Sequence, residues 1–516
     1  MDRPFRLAEI LGALSLTTDL GAGVPFEKGL RTCLVAAGLA EELDVGLEDR
    51  RAVYYTALLR SLGCTTHASL FAEWFDDDVA LQRELKVFDL GDPANVSAQV
   101  ERFAGWSGPQ RARQLTDRFA TEVPAHGLEL SRASCEVSAA LGRRLGLAPS
   151  AIATLDEVYE RFDGRGFPGG LAGDALTVGA RIVHVAEQAV LAHYEGGAGA
   201  ARVRVLHRAG GQLDPEICGT FDANAEALLA PLDAPDLLAA ALGAEPPPRI
   251  RVPPDEHEGV SMAFATFADL KGRFLLGHSA HVAALAGRAA ELSGFETAAC
   301  VSVRTSALLM DIGRVGVSSA IWDRPAPLGP VDWERVRLHS YWTERILRRC
   351  EAVQHLAPLA PAHHERLDGS GYHRGARGIE LSAGERLLQA ADVFAALTEP
   401  RPHREAYCRS DAAALIDTEV TAGRLDAAAV SAVVEASGLR HRRASWPNDL
   451  TDREVEVLRV LARGLTNREI ADVLVLSPRT VQHHLASVYD KIDMHSRSGA
   501  AVFAIENGLV PATADR

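Results

Sequence analysis

Hydrophobic and polar positions along the chain follow the spacing of amphipathic helices rather than that of strands. Alanine and leucine are abundant, aromatic residues make up 6% of the sequence, and runs of alternating β-branched residues are scarce. These features favour helix, because alanine and leucine are strong helix formers and strands are typically marked by alternating branched residues. The pattern therefore predicts an all-α protein.

The C-terminal segment has the sharpest predicted helix boundaries. Thr451 to Glu454 and Thr466 to Glu469 each have the pattern of a capping box that opens an amphipathic run. Ser477 followed by Pro478 predicts the N-cap and first position of a third, longer and more polar helix, and a fourth apolar run follows. A short helix, a tight turn and a longer polar helix predict a helix-turn-helix, whose second helix fits the major groove.

The rest of the chain contains an internal repeat. YERFDGRGFPGGLAGDAL, which begins at Tyr159, aligns with HERLDGSGYHRGARGIEL, which begins at His364, and the same separation pairs Glu187 with Asp392. Upstream, a helical segment from Glu27 aligns with one from Gly277 at a larger constant separation. Two blocks that each keep their register indicate one duplicated module with an insertion in the first copy.

Segments rich in helix-breaking residues mark the predicted boundaries. ALGAEPPPRIRVPPDEHEG, residues 241–259, predicts an extended linker, because its prolines stiffen the chain. A second junction, RHRRASWPND, spans residues 440–449. The predicted organisation is a first repeat over residues 1–240, the linker over 241–259, a second repeat over 260–440 and a small domain over 449–516.

Composition narrows the class of protein. A chain of 516 residues is too long for one core, and 47% apolar with 24% charged residues is typical of soluble globular proteins. The N-terminus lacks the long uncharged run of a signal or membrane segment, so we expect a cytoplasmic protein with no membrane partner. The net charge of −15 argues against whole-surface binding to nucleic acid but allows a small DNA-binding module. The seven cysteines form no C-x-x-C pair, so neither a disulfide framework nor a thiolate zinc site is expected.

The segment LTDREVEVLRVLARGLTNREIADVLVLSPRTVQHHLASVYDKI resembles the LuxR-type helix-turn-helix domain of bacterial response regulators. The resemblance implies a four-helix domain that binds double-stranded DNA through its third helix. It implies base contacts by Gln482, His483 and either Ala486 or Ser487, and phosphate contacts by Thr466, Arg479, Thr480 and Lys491. Many relatives have lysine in place of Gln482 and this segment is slightly acidic, so we expect weak affinity raised by dimerisation. The alternative is a helical bundle that binds a protein.

Histidines and acids of the second repeat form a candidate metal site. Imidazoles and carboxylates that converge from several helices suit iron, manganese or zinc. A carboxylate such as Asp311 could bridge two ions, and a bridging water would then attack a phosphoester. The candidate ligands are His278, Asp311, His339, His363, His364 and Asp392.

The signature HHE-x-x-DG-x-GY, with the spacing of the upstream residues, resembles the HD-GYP branch of the HD-domain metal phosphohydrolases. The resemblance covers about His278 to Asp392 and implies two HD-domain-like helical bundles that precede the LuxR-type domain. It implies hydrolysis of cyclic di-GMP with one or two divalent ions, the six candidates as metal ligands, and Asp311 and Arg314 as catalytic residues. Arg314 occupies the position of a substrate-contacting lysine and would hold phosphate bidentately.

Departures from the signature lower the expected activity. Met310 replaces the histidine of the His-Asp pair, and His373 replaces the closing proline. A thioether is a soft ligand, so we expect the ion shared by His278, Asp311 and Asp392 to be weakened and the other ion to be retained. The first repeat lacks almost every ligand and keeps only the D-G-R-G-F-P-G-G turn; its matched residues are Lys28, Arg60, Ser61, Ser134, Val158, Tyr159 and Glu187. It is expected to be a silent scaffold, a dimerisation surface or a sensor.

Two functions follow from the sequence. The first is a homodimeric DNA-binding transcriptional regulator whose HD-GYP-like repeats act as a sensor or dimerisation input, with weak or no phosphohydrolase activity. A cyclic dinucleotide or another phosphorylated ligand is the candidate signal. The alternative is an active, metal-dependent cyclic di-GMP-type phosphodiesterase that carries a DNA-binding domain. A purely structural second repeat would bind neither metal nor nucleotide. His281 has no matching role and is interpreted as a surface histidine.

Overall fold

The computed structural model describes residues 4–89, 91–105, 109–439, 446–494, 496–507 and 509. Residues 440–445 of the predicted second junction lie outside this range. The all-α prediction is confirmed, since the only strands among the described residues are β1 (Phe5–Arg6) and β2 (Arg251–Val252), which pair antiparallel. Helices of the first half are α1 (Leu7–Gly21), α2 (Lys28–Glu42), α3 (Leu47–Leu59), α4 (Ala68–Phe75), α5 (Asp78–Val87), α6 (Pro93–Gly105), α7 (Pro109–Arg144), α8 (Pro149–Asp156), α9 (Val178–His207), α10 (Pro215–Leu229) and α11 (Leu237–Gly243).

The second half continues with helices of similar length. They are α12 (His257–Asp269), α13 (His278–Leu292), α14 (Thr297–Leu309), α15 (Ser319–Trp322), α16 (Pro330–Leu347), α17 (Ala383–Thr398), α18 (Arg409–Thr421) and α19 (Ala427–Ala436). The C-terminal domain adds α20 (Asp452–Ala462), α21 (Asn467–Leu474), α22 (Pro478–Ile492) and α23 (Arg497–Glu506). None of the described helices is long and apolar enough to cross a membrane. The seven cysteines are all free thiols.

Matched helices of the two repeats begin at matched residues. Helix α2 begins at Lys28 and α13 at the aligned His278, and each has 15 residues. Helices α3 and α14 are aligned in the same register and have 13 residues each. Helices α9 and α17 also begin at aligned positions. The register inferred from the sequence is therefore present in the backbone.

Contacts divide the chain into two units. Unit 1 comprises residues 1–277 and 311–357, and unit 2 comprises residues 278–310 and 358–516. The limits of these units differ from the predicted domain boundaries, which lie at residues 240, 259 and 440. The predicted boundaries therefore remain predictions. The segment predicted as an extended linker is also not a free spacer, because β2 pairs with β1 and the side chain of Val252 is buried.

Unit 1 contains the first repeat, in which α2, α3, α9 and α10 pack together. The insertion predicted in this repeat lies among α4 to α7, because the later part of α7 aligns with α16. Helices α4 to α7 enclose an apolar cluster of their own that includes Phe71, Phe75, Leu81, Phe88 and Phe119. Unit 1 also contains α15 and α16. Helix α16 packs on the 3₁₀ turn Ile312–Gly316, where the backbone N–H of Gly313 donates to Thr343 Oγ1 (3.0 Å).

Unit 2 joins the ligand-bearing helices α13 and α17 to α14, α18 and α19, and contains the C-terminal domain. The capping boxes predicted at Thr451 and Thr466 and the N-cap predicted at Ser477 are confirmed. Helices α20 to α23 enclose a separate core of aliphatic residues and Phe503. The Arg459 guanidinium donates to the carbonyls of Val420 (2.8 Å) and Thr421 (2.9 Å), which links this domain to the end of α18.

Candidate metal centre and DNA-binding surface

Four of the six predicted metal ligands lie in unit 2. His278 is the first residue of α13, and its Nε2 lies 3.2 Å from Asp392 Oδ1 on α17. The other oxygen of Asp392 lies 3.6 Å from His364 Nδ1, and the ring centroids of His363 and His364 are 4.1 Å apart. One buried carboxylate therefore lies between two imidazoles.

Two of these imidazoles are oriented through their Nδ1 atoms. His278 donates its Nδ1–H to Glu399 Oε2 (2.8 Å), and His363 donates its Nδ1–H to the carbonyl of Ala360 (2.9 Å). A proton fixed on Nδ1 leaves the lone pair on Nε2, which is the atom a metal ion would need. Metal-ligating histidines typically have this arrangement, in which a carboxylate or carbonyl fixes the tautomer.

Glu399 was not among the site residues predicted from the sequence. It accepts hydrogen bonds from both His278 and His281 (2.8 and 2.7 Å), and His281 is therefore a partner of the site rather than an isolated surface histidine. Burial alone raises the pKa of Glu399, but the hydrogen bonds from these histidines and the charge of Arg401 outweigh it and hold the pKa far below its ordinary value. His278 and His281 are one turn apart on α13, and this spacing was the feature of the sequence that could have indicated a shared partner.

The other two predicted ligands lie in unit 1. Met310 separates Asp311 from the end of α14, and Asp311 directly precedes the 3₁₀ turn. Its Oδ1 lies 3.4 Å from His339 Nε2 on α16. His339 donates its Nδ1–H to the carbonyl of Val336 (2.5 Å), so it too has its lone pair on Nε2. Both side chains are almost completely buried. Asp311 was predicted on a helix, but it lies in the turn after the helix ends.

Arg314 lies beside this pair. Its Nη2 is 2.6 Å from Asp311 Oδ2, and its guanidinium stacks on Trp322 with its Cζ 5.2 Å from the ring centroid. Among the described residues, its Nε and Nη1 have no hydrogen-bond partner, although the side chain is only 4% exposed. A buried guanidinium with two unused donors is a suitable group for a phosphate oxygen.

The D-G-x-G-aromatic turn has the same construction in both repeats. Glu365 accepts from the backbone N–H groups of Arg374 (2.7 Å) and Ala376 (2.9 Å), and Glu160 accepts from the matched Gly169 (2.5 Å) and Leu171 (3.1 Å). A Cβ on Gly371 or on the matched Gly166 would lie 2.4 to 2.5 Å from backbone atoms. The turn is therefore structural in both copies, as predicted for the first, and the buried glutamate that organises it was missed.

The matched positions of the first repeat hold an ion-pair network. Glu187, which stands where Asp392 stands in the second repeat, pairs with Lys28 and with Arg60 Nε (2.7 Å). Burial by itself raises the pKa of Glu187, but Arg60, Lys28 and Lys86 reverse the effect and hold it far below its ordinary value. The loss of metal ligands predicted for this repeat is thus accompanied by a gain of fixed cations.

The third helix of the C-terminal domain, α22, presents part of the predicted DNA-binding set outward. Gln482, His483, Ala486 and Arg479 are exposed on it. Ser487 instead donates to Glu454 Oε1 (2.5 Å), and Lys491 donates to Glu454 Oε2 (2.7 Å) and to the carbonyl of Asp449 (2.9 Å). Of the two alternatives for the base-contacting position, Ala486 is therefore the outward one.

The two predicted threonine contacts cap helices. Thr466 is exposed, and its hydroxyl donates to Glu469 (2.8 Å) in the capping box of α21. The hydroxyls of Thr480 and Ser477 lie 2.7 Å apart at the start of α22. Both threonines lie at helix N-termini, where backbone N–H groups and the helix dipole favour a phosphate.

Comparison with known proteins agrees with both resemblances. The HD domain family matches residues 263–429, and the family of bacterial regulatory proteins of the luxR type matches residues 448–504. The chain is 28% identical to 3′3′-cGAMP-specific phosphodiesterase 3 of Vibrio cholerae, over 80% of this chain and 91% of that protein. It is 41% identical to the transcriptional regulatory protein LiaR of Bacillus subtilis, over 14% of this chain and 36% of that protein.

A solved structure shares the fold. The crystal structure of a cyclic GMP-AMP-specific phosphodiesterase of Vibrio cholerae superposes with a TM-score of 0.58 at 22% identity and covers 85% of this chain and 99% of that one. The HD match spans residues of both units, including all six predicted ligands. The chain therefore carries an HD domain related to those of cyclic dinucleotide phosphodiesterases and a C-terminal DNA-binding domain of the LuxR type.

Proposed function

We propose that this protein is a DNA-binding transcriptional regulator whose HD repeats serve as its input, with weak or no phosphohydrolase activity. The observation that carries the proposal is the pairing of a complete helix-turn-helix with a metal site in which Met310 replaces a histidine. The DNA-binding machinery has its caps, its turn and its exposed recognition residues, whereas the hydrolytic machinery lacks a ligand.

DNA recognition is assigned to α22. Gln482 and His483 offer side-chain donors and acceptors to base edges, and Arg479, near the start of the helix, offers a charge to phosphate. Lys491 and Ser487 act through Glu454 and position α22 against α20. Burial raises the pKa of Glu454, and the hydrogen bonds from Lys491, Ser487 and Thr451 lower it to about 2, so this carboxylate stays ionised at neutral pH.

Signal transfer from the repeats is assigned to Arg459. Its donors bind the last carbonyls of α18, and its guanidinium lies over Trp446 with 5.2 Å between Cζ and the ring centroid. Desolvation lowers the pKa of Arg459 to about 10, so the group remains charged at neutral pH. A movement of α18 would be transmitted to α20 through these hydrogen bonds.

The residues present fit a divalent metal ion. The donor set is imidazole and carboxylate, and three of the histidines have Nδ1 protons fixed by Glu399, Ala360 and Val336. The proposed ligands are His278, Asp311, His339, His363, His364 and Asp392. A bound ion would supply Lewis acidity and an activated water. In the chain itself, Arg314 would bind a phosphate oxygen through Nε and Nη1, and Asp311 would hold the guanidinium in place.

The test of DNA recognition uses the full chain. A DNA sequence is selected from a random pool by the wild type, and its affinity is measured by fluorescence anisotropy at fixed salt. His483→Ala should weaken binding by about 10- to 100-fold, the cost of about 1 to 3 kcal/mol for a lost base contact. His484→Ala on the flank of the same helix is the matched control and should change binding less than about threefold. Equal losses in both variants, or none in His483→Ala, would remove the base-contact assignment.

The second candidate function is an active metal-dependent cyclic dinucleotide phosphodiesterase, which the unused donors of Arg314 and the ordered histidines favour. Elemental analysis of the purified protein and turnover of cyclic di-GMP and 3′3′-cGAMP separate the two. Turnover by the wild type that is abolished by Asp311→Ala would establish the enzyme. Absence of turnover, with metal still bound, would favour the regulator.

A further inference from the structure

A cavity of about 450 Å³ lies inside unit 1, within the first repeat. The segment from α4 to α7 supplies most of its apolar wall, with Phe88 after α5 and Phe119, Val123 and Leu130 on α7. The volume is in the range of pockets that enclose a small organic ligand. The repeat without the metal ligands therefore contains an apolar chamber, built largely from the region that carries the predicted insertion.

One end of the cavity is cationic. Arg60, Lys86 and Glu187 line it, and Lys28 lies behind Glu187. Arg60 is 8% exposed, and its Nε lies 2.7 Å from a carboxylate oxygen of Glu187 without forming a hydrogen bond with any described residue. Lys86 is 9% exposed, and its Nζ donates to Ser61 Oγ (3.1 Å) without a direct carboxylate partner in the described chain.

The buried charges at this end do not balance. Three cations surround one ionised carboxylate, and burial raises the pKa of a further buried acid, Asp19, to about 7 despite the opposing charge of Lys28. Burial, followed by repulsion from Arg60 and Lys28, lowers the pKa of Lys86 to about 8 despite Glu187. Glu160 also lines the cavity, but its oxygens accept from the backbone of the turn. An uncompensated buried cation is costly unless an anion joins it.

Most of the other polar side chains around the cavity are already used; the exception is His184, whose Nε2 has no hydrogen-bond partner among the described residues. Gln188 donates to the carbonyl of Lys86 (3.2 Å) and accepts from Arg208 (2.7 Å), Gln212 accepts from Arg208 (2.8 Å), and Gln82 donates to the carbonyl of Cys64 (3.1 Å). Few groups remain for the polar edge of a base or a sugar. The combination of a cationic end and an apolar wall selects an amphiphilic anion rather than a uniformly polar ligand.

We propose that the first repeat binds a small amphiphilic organic anion, with its acidic head against Arg60 and Lys86 and its apolar body against Phe88, Phe119, Val123 and Leu130. The head group takes the place of the negative charge that the cluster lacks, and the body fills the apolar chamber lined by α4 to α7. The proposal is about ligand binding alone. It therefore does not depend on DNA recognition or on hydrolysis in the second repeat.

The test is calorimetric titration of the full-length protein with dodecanoate, below its micelle concentration, and with dodecanol as the uncharged analogue of equal length. Wild type should bind one dodecanoate per chain and bind dodecanol at least about tenfold more weakly. Lys86→Met removes the cation while keeping the side-chain length, and should weaken dodecanoate binding by about tenfold or more without lowering the melting temperature. Val123→Trp should reduce binding of both probes by filling the apolar part.

Two results would overturn the proposal. The first is the absence of saturable dodecanoate binding by the wild type at neutral pH. The second is binding that Lys86→Met and Val123→Trp, both folded by thermal unfolding, leave unchanged, since the ligand would then lie elsewhere on the protein. The charge assignment is supported directly if Lys86→Met binds dodecanoate and dodecanol with equal affinity. That affinity should equal the affinity of the wild type for dodecanol.

Discussion

Each of the two repeats places a basic residue opposite an acidic one at the same positions of matched helices. In the second repeat, α13 begins with His278 and α17 carries Asp392, with His278 Nε2 and Asp392 Oδ1 3.2 Å apart. In the first, α2 begins with Lys28 and α9 carries Glu187, and these side chains form a buried ion pair. Both repeats therefore keep a buried carboxylate at this position. Its neighbour is a lysine in the first repeat and a histidine in the second.

The difference shows that a buried carboxylate at this position can be paired with fixed cations instead of imidazoles. Arg60 occupies the position of Met310, so the first repeat has a second covalently attached cation where the second repeat has a neutral thioether. A buried acid that loses its partner is strongly destabilising, so ligand loss and gain of a cation must be coupled.

The largest expected effect comes from neutralising the shared carboxylate. Glu187→Gln leaves Lys28, Arg60 and Lys86 buried without an ionised partner, so the free energy of unfolding should fall by about 3 to 5 kcal/mol. Asp392→Asn at the matched position should cost less than about 1 kcal/mol in metal-free protein, because its neighbours are titratable imidazoles. Urea unfolding with a chelator present measures both. Equal costs would contradict the idea that only the first repeat relies on fixed charges.

The next prediction concerns the thioether. Met310→His should raise metal affinity by about 10- to 100-fold, because it restores an imidazole ligand beside Asp311. Elemental analysis after dialysis against manganese or zinc gives the stoichiometry, and turnover of cyclic dinucleotides should rise with it. The matched control is Arg60→His in the first repeat, which should gain no metal because Lys28 and Ser61 remain. An equal gain in both variants would mean that the added histidine binds metal without the rest of the site.

A smaller effect follows from Lys86, which has no counterpart among the ligands of the second repeat. Its pKa is about 8 in the folded protein and 10.5 ordinarily, so the folded state holds fewer protons than the unfolded chain between these pH values. The stability of the wild type should therefore rise relative to Lys86→Met as the pH increases from 8 to about 10.5, and below pH 8 the penalty is fully present. At pH 7 the variant should be more stable by about 2 kcal/mol. A pH-independent difference would show that Lys86 keeps its ordinary pKa.

Much of the helical architecture could be predicted from the sequence, because its signals are local. The capping boxes at Thr451 and Thr466 predicted where two helices begin, and the alignment of the repeats is matched by the starts of α2 and α13. The partners of the site were less accessible. Glu399 lies outside the aligned signature and contacts His278 only through the packing of its segment on α13. The cavity depends on how α4 to α7 fold together, which no periodicity encodes.

The smallest effect tests the feature that the repeats share. Gly164 and the matched Gly369 have φ values of 74° and 81°, in the left-handed region that residues with a Cβ rarely adopt. Gly164→Ala and Gly369→Ala should each lower the free energy of unfolding by about 1 kcal/mol, with similar values in both repeats. Because the turn is organised by Glu160 in one copy and Glu365 in the other, its stability should not depend on nearby metal ligands. Thermal unfolding with and without added manganese measures this. If manganese increased the cost of Gly369→Ala alone, the turn of the second repeat would be coupled to metal binding, and the two copies would differ in more than their charges.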